Sequence, residues 1–208
     1  MTIRDDIRAN LLEFTRNAFK MLPPLENPSI LDIGCGTGVQ SIELARLCNG
    51  HITAVDIDMP SLVLLQRKIK AQGLSDRFSI MKAAMNELQY LRKTFDIIWS
   101  EGAIYAIGFE NGIRDWKKLL NKGGFLVVHD ENDHLATKEQ IIKKQGYKKI
   151  GQFEVPHEEW EERYYKPLLE IMSKRKISES DNIALRKEID TFKRTKMGSV
   201  FFILQMKS

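Results

Sequence analysis

The first stretch of the chain has the hydrophobic pattern of an amphipathic helix. Its apolar residues recur at three- and four-residue spacing, at positions 3, 7, 11, 14, 18 and 22. That spacing places them along one face of an α-helix. Thr2 can cap the start of the helix, and Pro23-Pro24 ends it. We therefore predict an N-terminal helix within residues 1–24 that buries one face.

Short apolar runs then alternate with amphipathic segments up to residue 130. The runs are predicted strands, at Ile30–Ile33, Ile52–Val55, Phe78–Met81, Phe95–Trp99 and Phe125–Val128. The segments between them are predicted helices, at Val39–Leu47, from Pro60 to the break at Gly73, and at Ile113–Leu120 before a Lys122-Gly123-Gly124 turn. Strands that are apolar throughout and separated by helices are typical of a parallel sheet covered on both faces.

The pattern changes after residue 130. We predict a helix over Lys138–Gln145, closed by Gly146, and a strand over Tyr147–Val155. A charged helical region follows from Glu158 to Lys193, and the chain ends in an apolar strand that begins at Ser199. The sequence contains no internal repeat or low-complexity linker, so one domain over residues 1–208 is the simplest organisation.

Composition and charge are those of an ordinary folded domain. Hydrophobic residues make up 43% of the chain and charged residues 29%, with a net charge of +4. The charge excess is too small to indicate nucleic acid by itself. The two cysteines, Cys35 and Cys48, are too few for a disulfide scaffold. Because no apolar run is long enough to span a membrane and no signal sequence is evident, we expect a cytoplasmic protein.

A glycine-rich loop directly follows the first predicted strand. Its sequence is Asp32-Ile33-Gly34-Cys35-Gly36-Thr37-Gly38, and a predicted helix comes next. Glycine allows a strand to turn sharply into a helix, and its missing β-carbon lets a ligand approach the backbone. The free N–H groups of the helix point at the loop. In a doubly wound sheet, this position is the ligand crevice at the carboxyl ends of the strands.

The spacing within the loop separates two classes of ligand. Dinucleotide-binding enzymes carry G-x-G-x-x-G, and the third glycine of that pattern falls on Val39. The third glycine is instead Gly38, and Asp32 precedes the loop. A carboxylate beside a pyrophosphate costs electrostatic free energy, whereas it suits a positively charged amine. Asp56, 22 positions after Gly34, ends the second strand and can bind both hydroxyls of a ribose.

This arrangement resembles motif I of the class I S-adenosylmethionine-dependent methyltransferases, and Asp56 matches the family's ribose-binding acid. The resemblance covers the alternating segment. It implies an α/β fold with a doubly wound, Rossmann-like sheet of seven strands, mostly parallel, whose last strand, Ser199–Met206, is antiparallel. It also implies that Asp32, Gly34 and Gly36 line the methionine moiety of S-adenosylmethionine.

The adenine side departs from the family pattern. Many members carry an acid after the third strand, where this chain has Ala84. The backbone N–H of Met85 can still meet the adenine ring, and Ile57 can pack on its face. The predicted cofactor contacts are Asp32, Gly34, Cys35, Gly36, Thr37, Gly38, Asp56, Ile57, Ala84, Met85 and Ser100.

The segment after the fourth predicted strand indicates the kind of acceptor. It contains neither the Asp/Asn-Pro-Pro-aromatic motif nor the Pro-Cys nucleophile found in nucleic-acid methyltransferases. The run from Ser100 to Glu110 resembles a subgroup of small-molecule methyltransferases related to the quinone-biosynthesis type. The run from Gly146 to Pro167 resembles the same subgroup. The resemblance therefore implies a small-molecule acceptor and makes a nucleic-acid partner unexpected.

Methyl transfer is an in-line displacement that leaves a neutral sulfur, so orientation can supply much of the catalysis. A general base is needed only where the acceptor loses a proton. Candidate catalytic residues are Glu101, His129 and Tyr105. Glu101 can alternatively pair with the cofactor or with a backbone N–H, and His129 can be a packing residue. The acid-rich loop from Asp130 to His134 is interpreted as a polar loop, and no metal site is predicted.

The C-terminal part, residues 131–208, is predicted to lie on the substrate side of a cofactor-binding core over residues 25–130. The short connection after Asp130 leaves the cover to the N-terminal helix and the segment from Trp160 to Tyr165. The pocket is then open, or closed by a second copy in a homodimer. Three alternatives stay open: a non-catalytic cofactor-binding regulator, a nucleic-acid or protein methyltransferase, and a nicotinamide oxidoreductase, which the loop spacing disfavours.

Overall fold

The computed structural model describes residues 3–174 and 177–207, so the predicted cap at Thr2 lies outside the described residues. Seven strands form one sheet in the order β3-β2-β1-β4-β5-β7-β6. The strands are β1 Ser29–Ile33, β2 His51–Asp56, β3 Phe78–Lys82, β4 Phe95–Glu101, β5 Leu120–Glu131, β6 Tyr147–Val155 and β7 Ser199–Met206. Strands β1 to β5 pair in parallel, and β7 runs antiparallel between β5 and β6. The predicted fold class is confirmed.

Nine α-helices are described. They are α1 Ile3–Arg8, α2 Leu12–Lys20, α3 Val39–Leu47, α4 Met59–Ala71, α5 Phe109–Trp116, α6 Leu135–Lys144, α7 His157–Trp160, α8 Lys166–Lys174 and α9 Glu179–Thr195. A π-helical turn, Glu161–Tyr165, joins α7 to α8. Within the described ranges, no helix combines the length and the apolar character needed to cross a membrane.

Apolar side chains fill both faces of the sheet. Along β4, Ile97 and Trp99 belong to one apolar cluster and Ile98 to the other. All three side chains have no exposed surface. Alternation along a strand places successive side chains on opposite faces, so a strand buried on both faces must be apolar throughout. This explains why continuous apolar runs located the parallel strands within two residues of their bounds, apart from β5.

A third cluster joins the two ends of the chain. Ile7 of α1 packs with Tyr164, Leu168, Leu185 and Ile189. All five side chains are at least nine-tenths buried. We call α1, the π-helical turn, α8 and α9 the cover.

The N-terminal helix is not continuous, contrary to the prediction. A 3₁₀ turn, Ala9–Leu11, separates α1 from α2. Because a 3₁₀ turn has three residues instead of 3.6, it rotates one helix relative to the other. Ile7 therefore packs in the apolar cluster of the cover, whereas Ala18 packs in the core of the sheet.

The predicted helix at Ile113–Leu120 is also displaced. Helix α5 begins at Phe109 and ends at Trp116, and Leu120 already lies in β5. Gly112, a poor helix former, is buried where a Cβ would overlap the side chain of Ile104. The predicted turn at Lys122-Gly123-Gly124 lies inside β5, where the register with β4 shifts.

Candidate active site

The three loop glycines have different roles. Gly34 and Gly38 have φ angles of +75° and +78°, which favour glycine. A Cβ on Gly34 would overlap Ala103, and a Cβ on Gly38 would overlap Leu65. Gly36 has φ +52°, and a Cβ there would meet only the Nη1 of Arg8, at 3.8 Å. Gly34 and Gly38 therefore have no room for a side chain, and Gly34 also lines the groove beside Asp56, whereas Gly36 leaves open space beside the loop.

Asp56 lies at the end of β2, beside the loop. One carboxylate oxygen accepts a hydrogen bond from the backbone N–H of Gly36 at 2.7 Å, and the other accepts one from Asp58 N–H at 2.8 Å. A carboxylate has about four acceptor positions. Asp56 therefore fixes the loop and can still accept bonds from a ligand with two hydroxyl groups.

Four predicted cofactor contacts have side chains that are buried or hydrogen-bonded within the protein. Asp32 is buried and accepts a 2.5 Å hydrogen bond from the Ser41 hydroxyl, and burial raises the pKa of its carboxyl to about 7. Burial also raises the pKa of the Cys35 thiol. Ser100 donates a 3.0 Å hydrogen bond to the Ile33 carbonyl, and Thr37 donates one to Asp5. In this structure these four side chains stabilise the loop.

A groove of about 290 Å³ lies beyond Asp56. Ile57, which is 65% exposed, contributes one wall. Ala84 and Met85 contribute another, and the Trp116 indole N–H donates a hydrogen bond to the Met85 carbonyl at 3.1 Å. Ala106 and Ile107 line it too. The predicted residues of the adenine side therefore share one groove.

A second cavity, of about 440 Å³, lies beneath the cover. We call it the cleft. It continues into a wider cavity of about 850 Å³ bordered by α9. Polar and charged residues at the cleft are Arg4, Arg8, Thr15, Gln40, Glu101, Tyr105, His129, Glu131 and Glu188. Its other walls are largely apolar or aromatic, formed by Leu11, Leu12, Phe14, Trp160, Tyr164, Tyr165 and Phe201.

Glu101 ends β4 inside the cleft. Its Oε1 accepts hydrogen bonds from the Thr15 hydroxyl at 2.9 Å and the Trp99 indole N–H at 2.7 Å. No hydrogen bond from a described residue reaches Oε2. Burial raises the pKa of the carboxyl to about 7 despite these two donors. Glu101 is therefore held by one oxygen and can exchange a proton near neutral pH.

His129 and Tyr105 also border the cleft, but they differ in environment. The Nε2 of His129 lies 2.7 Å from the Ser199 hydroxyl, and its ring stacks on Phe201 with centroids 4.2 Å apart. Burial lowers the pKa of His129 to about 3, so the imidazole is neutral at ordinary pH. Tyr105 is 70% exposed and lies where the two cavities meet.

Polar contacts attach helix α1 of the cover to the glycine-loop region and to α9. Asp5 of α1 is buried, bonds the Thr37 hydroxyl and pairs with Lys68 at 3.0 Å. Arg4 pairs with Glu188 of α9 at 2.7 Å. Helix α1 is thereby fixed between the glycine loop and the C-terminal helices. Residues of the N-terminal helices and of the segment from Trp160 to Tyr165 line the cleft.

The acid-rich loop is an ion-pair cluster. Lys138 is buried, and its ammonium group lies 2.8 Å from Asp130 and 2.7 Å from Asp133. Across residues 3–174 and 177–207, no three His, Cys, Asp or Glu side chains are grouped to hold a metal ion.

A family model described as a methyltransferase domain matches residues 30–124. This segment runs from β1 into β5 and includes the glycine loop, Asp56 and Glu101. Residues 30–124 therefore match a methyltransferase domain, the family that the sequence predicts.

Curated relatives and solved structures agree with this domain. The chain is 24% identical over 149 residues to the demethylmenaquinone methyltransferase of Porphyromonas gingivalis, covering 68% of this chain and 57% of that protein. It spans about half the length of the curated relatives it matches. A methyltransferase of Thiobacillus denitrificans, solved with S-adenosyl-L-homocysteine, superposes with TM-score 0.73 at 16% identity, covering 94% and 91% of the two chains.

A protein described by a different activity has the same fold. The structure described as the [4+2]-cyclase SpnF superposes with TM-score 0.78 at 16% identity, covering 94% of this chain and 81% of the other. At such identity the likeness shows the fold of the methyltransferase domain and not its reaction.

Sequence reasoning missed several residues of the site. Arg4 and Arg8 lie four positions apart on α1, a spacing that places them on one helix face, and both reach the cleft. Thr15 is also buried at the cleft, where it bonds Glu101. A polar residue within the apolar face of the N-terminal helix was the available signal for Thr15, and none was available for the arginines.

Proposed function

We propose that this chain binds S-adenosylmethionine and transfers its methyl group to a small-molecule acceptor in the cleft. The observation that carries the proposal is the meeting of three features at the carboxyl edge of the sheet: the open space at Gly36, the Asp56 carboxylate and the covered cleft at Glu101. Ligands of doubly wound sheets bind at this edge. The relatives described as methyltransferases support the same activity.

The residues present fit the cofactor. Asp56 retains acceptor capacity for two ribose hydroxyls, and the groove lined by Ile57, Ala84 and Met85 offers apolar walls for an adenine ring. Gly36 leaves room for a chain running from the ribose toward the cleft. When bound, S-adenosylmethionine supplies an electrophilic methyl group on a sulfonium: the acceptor's lone pair forms the new bond to carbon, and the carbon–sulfur bond breaks to leave a neutral thioether.

In this proposal Glu101 holds the acceptor and receives its proton. Its Oε1 is fixed by Thr15 and Trp99, which leaves Oε2 to face an acceptor hydroxyl or amine. A base works best when its pKa lies near the working pH, and the pKa of Glu101 is raised to about 7. His129, with a pKa near 3, is too weak a base for this role, so we assign it to orientation of the cleft wall.

Acceptors in this proposal are small and flat. The aromatic side chains of Trp160, Tyr165 and Tyr105 border the cleft, and aromatic walls favour planar apolar bodies. The demethylmenaquinone methyltransferase relative supports an aromatic acceptor of this kind. The free thiols of Cys35 and Cys48 support our expectation of a cytoplasmic location, and a homodimer stays a prediction.

The experiment combines binding with transfer. Calorimetry should show saturable binding of S-adenosylhomocysteine and none of NAD, and Asp56→Ala should weaken the binding at least tenfold while the protein stays folded. Labelled S-adenosylmethionine is then incubated with metabolite extracts, and labelled products are isolated. Glu101→Gln should lower turnover more than it lowers affinity for S-adenosylhomocysteine. Saturable NAD binding without binding of either sulfur nucleoside would overturn the proposal.

A second candidate is a reaction other than methyl transfer on the same scaffold. The structural likeness to the [4+2]-cyclase favours keeping it, because function lives in the site and not in the fold. The labelled extracts separate the two. Binding of S-adenosylhomocysteine together with extract compounds that are consumed without acquiring label would support the second candidate.

A further inference from the structure

Arg8 is a charged residue of the cleft whose guanidinium forms no ion pair or hydrogen bond with the described residues. It ends α1, it is half-buried, and its guanidinium lines the cleft. No ion pair or hydrogen bond joins it to any residue in the described ranges 3–174 and 177–207. Its neighbour on the same helix face, Arg4, is paired with Glu188. Arg8 is therefore a partly desolvated cation without a fixed anion, an arrangement that costs free energy unless a ligand compensates it.

Glu101, an acid of the cleft that is within electrostatic reach of Arg8, forms no ion pair with it. Glu101 directs Oε1 to Thr15 and Trp99, although Arg8 is close enough to act electrostatically on both Glu101 and His129. On its other side, the Nη1 of Arg8 lies 3.8 Å from the position of a Cβ on Gly36. The guanidinium thus lies between the open space at the glycine loop and the reacting end of the cleft.

Helix α1 holds Arg8 in this place from both directions. Asp5 attaches the helix to Thr37 and Lys68 of the methyltransferase domain, and Arg4 attaches it to α9. The apolar contact of Ile7 adds a third anchor. A guanidinium fixed in this way is preorganised for the planar, bidentate geometry of a carboxylate.

We propose that Arg8 is a carboxylate-binding subsite of the cleft, and this rests on the proposed function. The carboxylate comes either from the methionine end of the cofactor or from the acceptor. The two sources share one chemistry, and binding measurements separate them. Glu188, another acid of the cleft, is already paired with Arg4.

The first arm of the test compares two nucleosides. S-adenosylhomocysteine carries the carboxylate, and 5′-methylthioadenosine lacks it together with the rest of the amino-acid part. If the cofactor is the source, Arg8→Gln weakens S-adenosylhomocysteine binding about tenfold or more, which is the scale of a hydrogen bond to a charged group. Binding of 5′-methylthioadenosine stays unchanged. Arg8→Lys, which keeps the charge without the planar fork, should fall between wild type and Arg8→Gln.

The second arm uses benzoate as the probe of an acceptor carboxylate. It is titrated into protein saturated with S-adenosylhomocysteine. If the acceptor is the source, wild-type protein binds benzoate, Arg8→Gln does not, and both bind S-adenosylhomocysteine equally. Arg67→Gln is the matched control, because Arg67 is an exposed arginine of α4 that does not line the cleft. It removes the same charge and should change neither arm.

The subsite is overturned if Arg8→Gln changes neither arm, or if it weakens both nucleosides equally. Equal urea midpoints for the three variants exclude a folding defect as the cause of any loss. If wild-type protein binds neither nucleoside, the proposed function fails instead. In that case benzoate is titrated into the free protein. Binding that is lost in Arg8→Gln and kept in Arg67→Gln supports the subsite, and the absence of this difference overturns it.

Discussion

The glycine loop and the cover meet at the same cleft, but they differ in how far apart their residues are in the sequence. The loop is seven consecutive residues, 32–38, closed by an acid about twenty positions later. The cover joins residues that are far apart, as in the contact of Arg4 with Glu188 across 184 positions. Local geometry therefore specifies the loop, whereas only the folded chain specifies the cover. Substitutions in the loop and in the cover should therefore differ in their effects on stability and on ligand binding.

The largest effect should separate two glycines of the loop. Gly34→Ala should lower the free energy of unfolding by roughly 2–5 kcal/mol, because a left-handed residue costs about 1–2 kcal/mol and overlap with Ala103 adds overpacking of about 1–3 kcal/mol. Gly36→Ala has a similar φ but open space. It should cost only about 1 kcal/mol and should weaken S-adenosylhomocysteine binding instead. Urea unfolding and calorimetry measure both.

Equal losses of stability in the two variants would contradict this separation. They would mean that the open space at Gly36 has no special place in the loop. Unchanged nucleoside binding in Gly36→Ala would lead to the same conclusion. The pair thus tests whether the seven-residue loop divides into packing positions and a ligand position.

The next effect tests the cover as a unit. Ile7 and Leu31 are both fully buried, one in the cover cluster and one in the sheet. Truncation to alanine at either site should cost about 2–4 kcal/mol. Leu31→Ala should speed hydrogen exchange throughout the sheet, whereas Ile7→Ala should speed it mainly in α1 and α8 through local opening. If Ile7→Ala speeds exchange in β1 equally, the cover and the sheet unfold together.

The strand bounds could be predicted from the sequence pattern, whereas the break in the N-terminal helix and the strand order could not. Strand β6 begins and ends where the alternation does, at Tyr147 and Val155. The break at Ala9–Leu11 was not predictable, because the apolar spacing from Ile3 to Leu22 fits a single helix equally well. Only the separate contacts of Ile7 and Ala18 in the folded chain decide between the two. The strand order follows from the family resemblance and not from periodicity.

In the site, too, some residues could be predicted from the local sequence, and others are placed only by the folded chain. Asp56 could be predicted as a candidate because a strand end and its distance from the glycine loop are visible in the sequence. Arg8 was missed, because a basic residue on an amphipathic helix is ordinarily solvated, and nothing local marks one that is half-buried in a cleft. The inward orientation of Asp32 toward Ser41 was also hidden, since the residue immediately precedes a ligand-type loop.

A smaller effect concerns pH and the acid at the cleft. Because the pKa of Glu101 is raised from 4.5 to about 7, the folded state binds more protons than the unfolded state between these values. Stability therefore falls as pH rises from 4.5 to 7, by at most about 1.4 kcal/mol per pH unit for one group. Glu101→Gln should flatten that slope in urea unfolding measured from pH 5 to pH 8. The remaining slope combines Asp32, whose pKa is raised in the same way, with an opposite contribution below pH 6.5 from His129, whose pKa is lowered.

If Glu101→Gln leaves the slope as steep as in the wild type, the carboxyl is not buried as described. Asp115→Asn serves as the control for this measurement. Arg114 lowers the pKa of Asp115, so this acid titrates below the window and its removal should leave the slope between pH 5 and pH 7 unchanged.

The smallest effect should come from a polar contact that also spans the chain. Arg163 of the π-helical turn pairs with Glu13 of α2 at 2.7 Å, and Glu13 is more than half exposed. Exposed ion pairs contribute roughly 0–1 kcal/mol and are screened by salt. Glu13→Gln should therefore lower the free energy of unfolding by less than about 0.5 kcal/mol, and in 1 M salt the difference should vanish. A loss as large as that of Ile7→Ala would mean that charges, and not the buried apolar cluster, attach the cover.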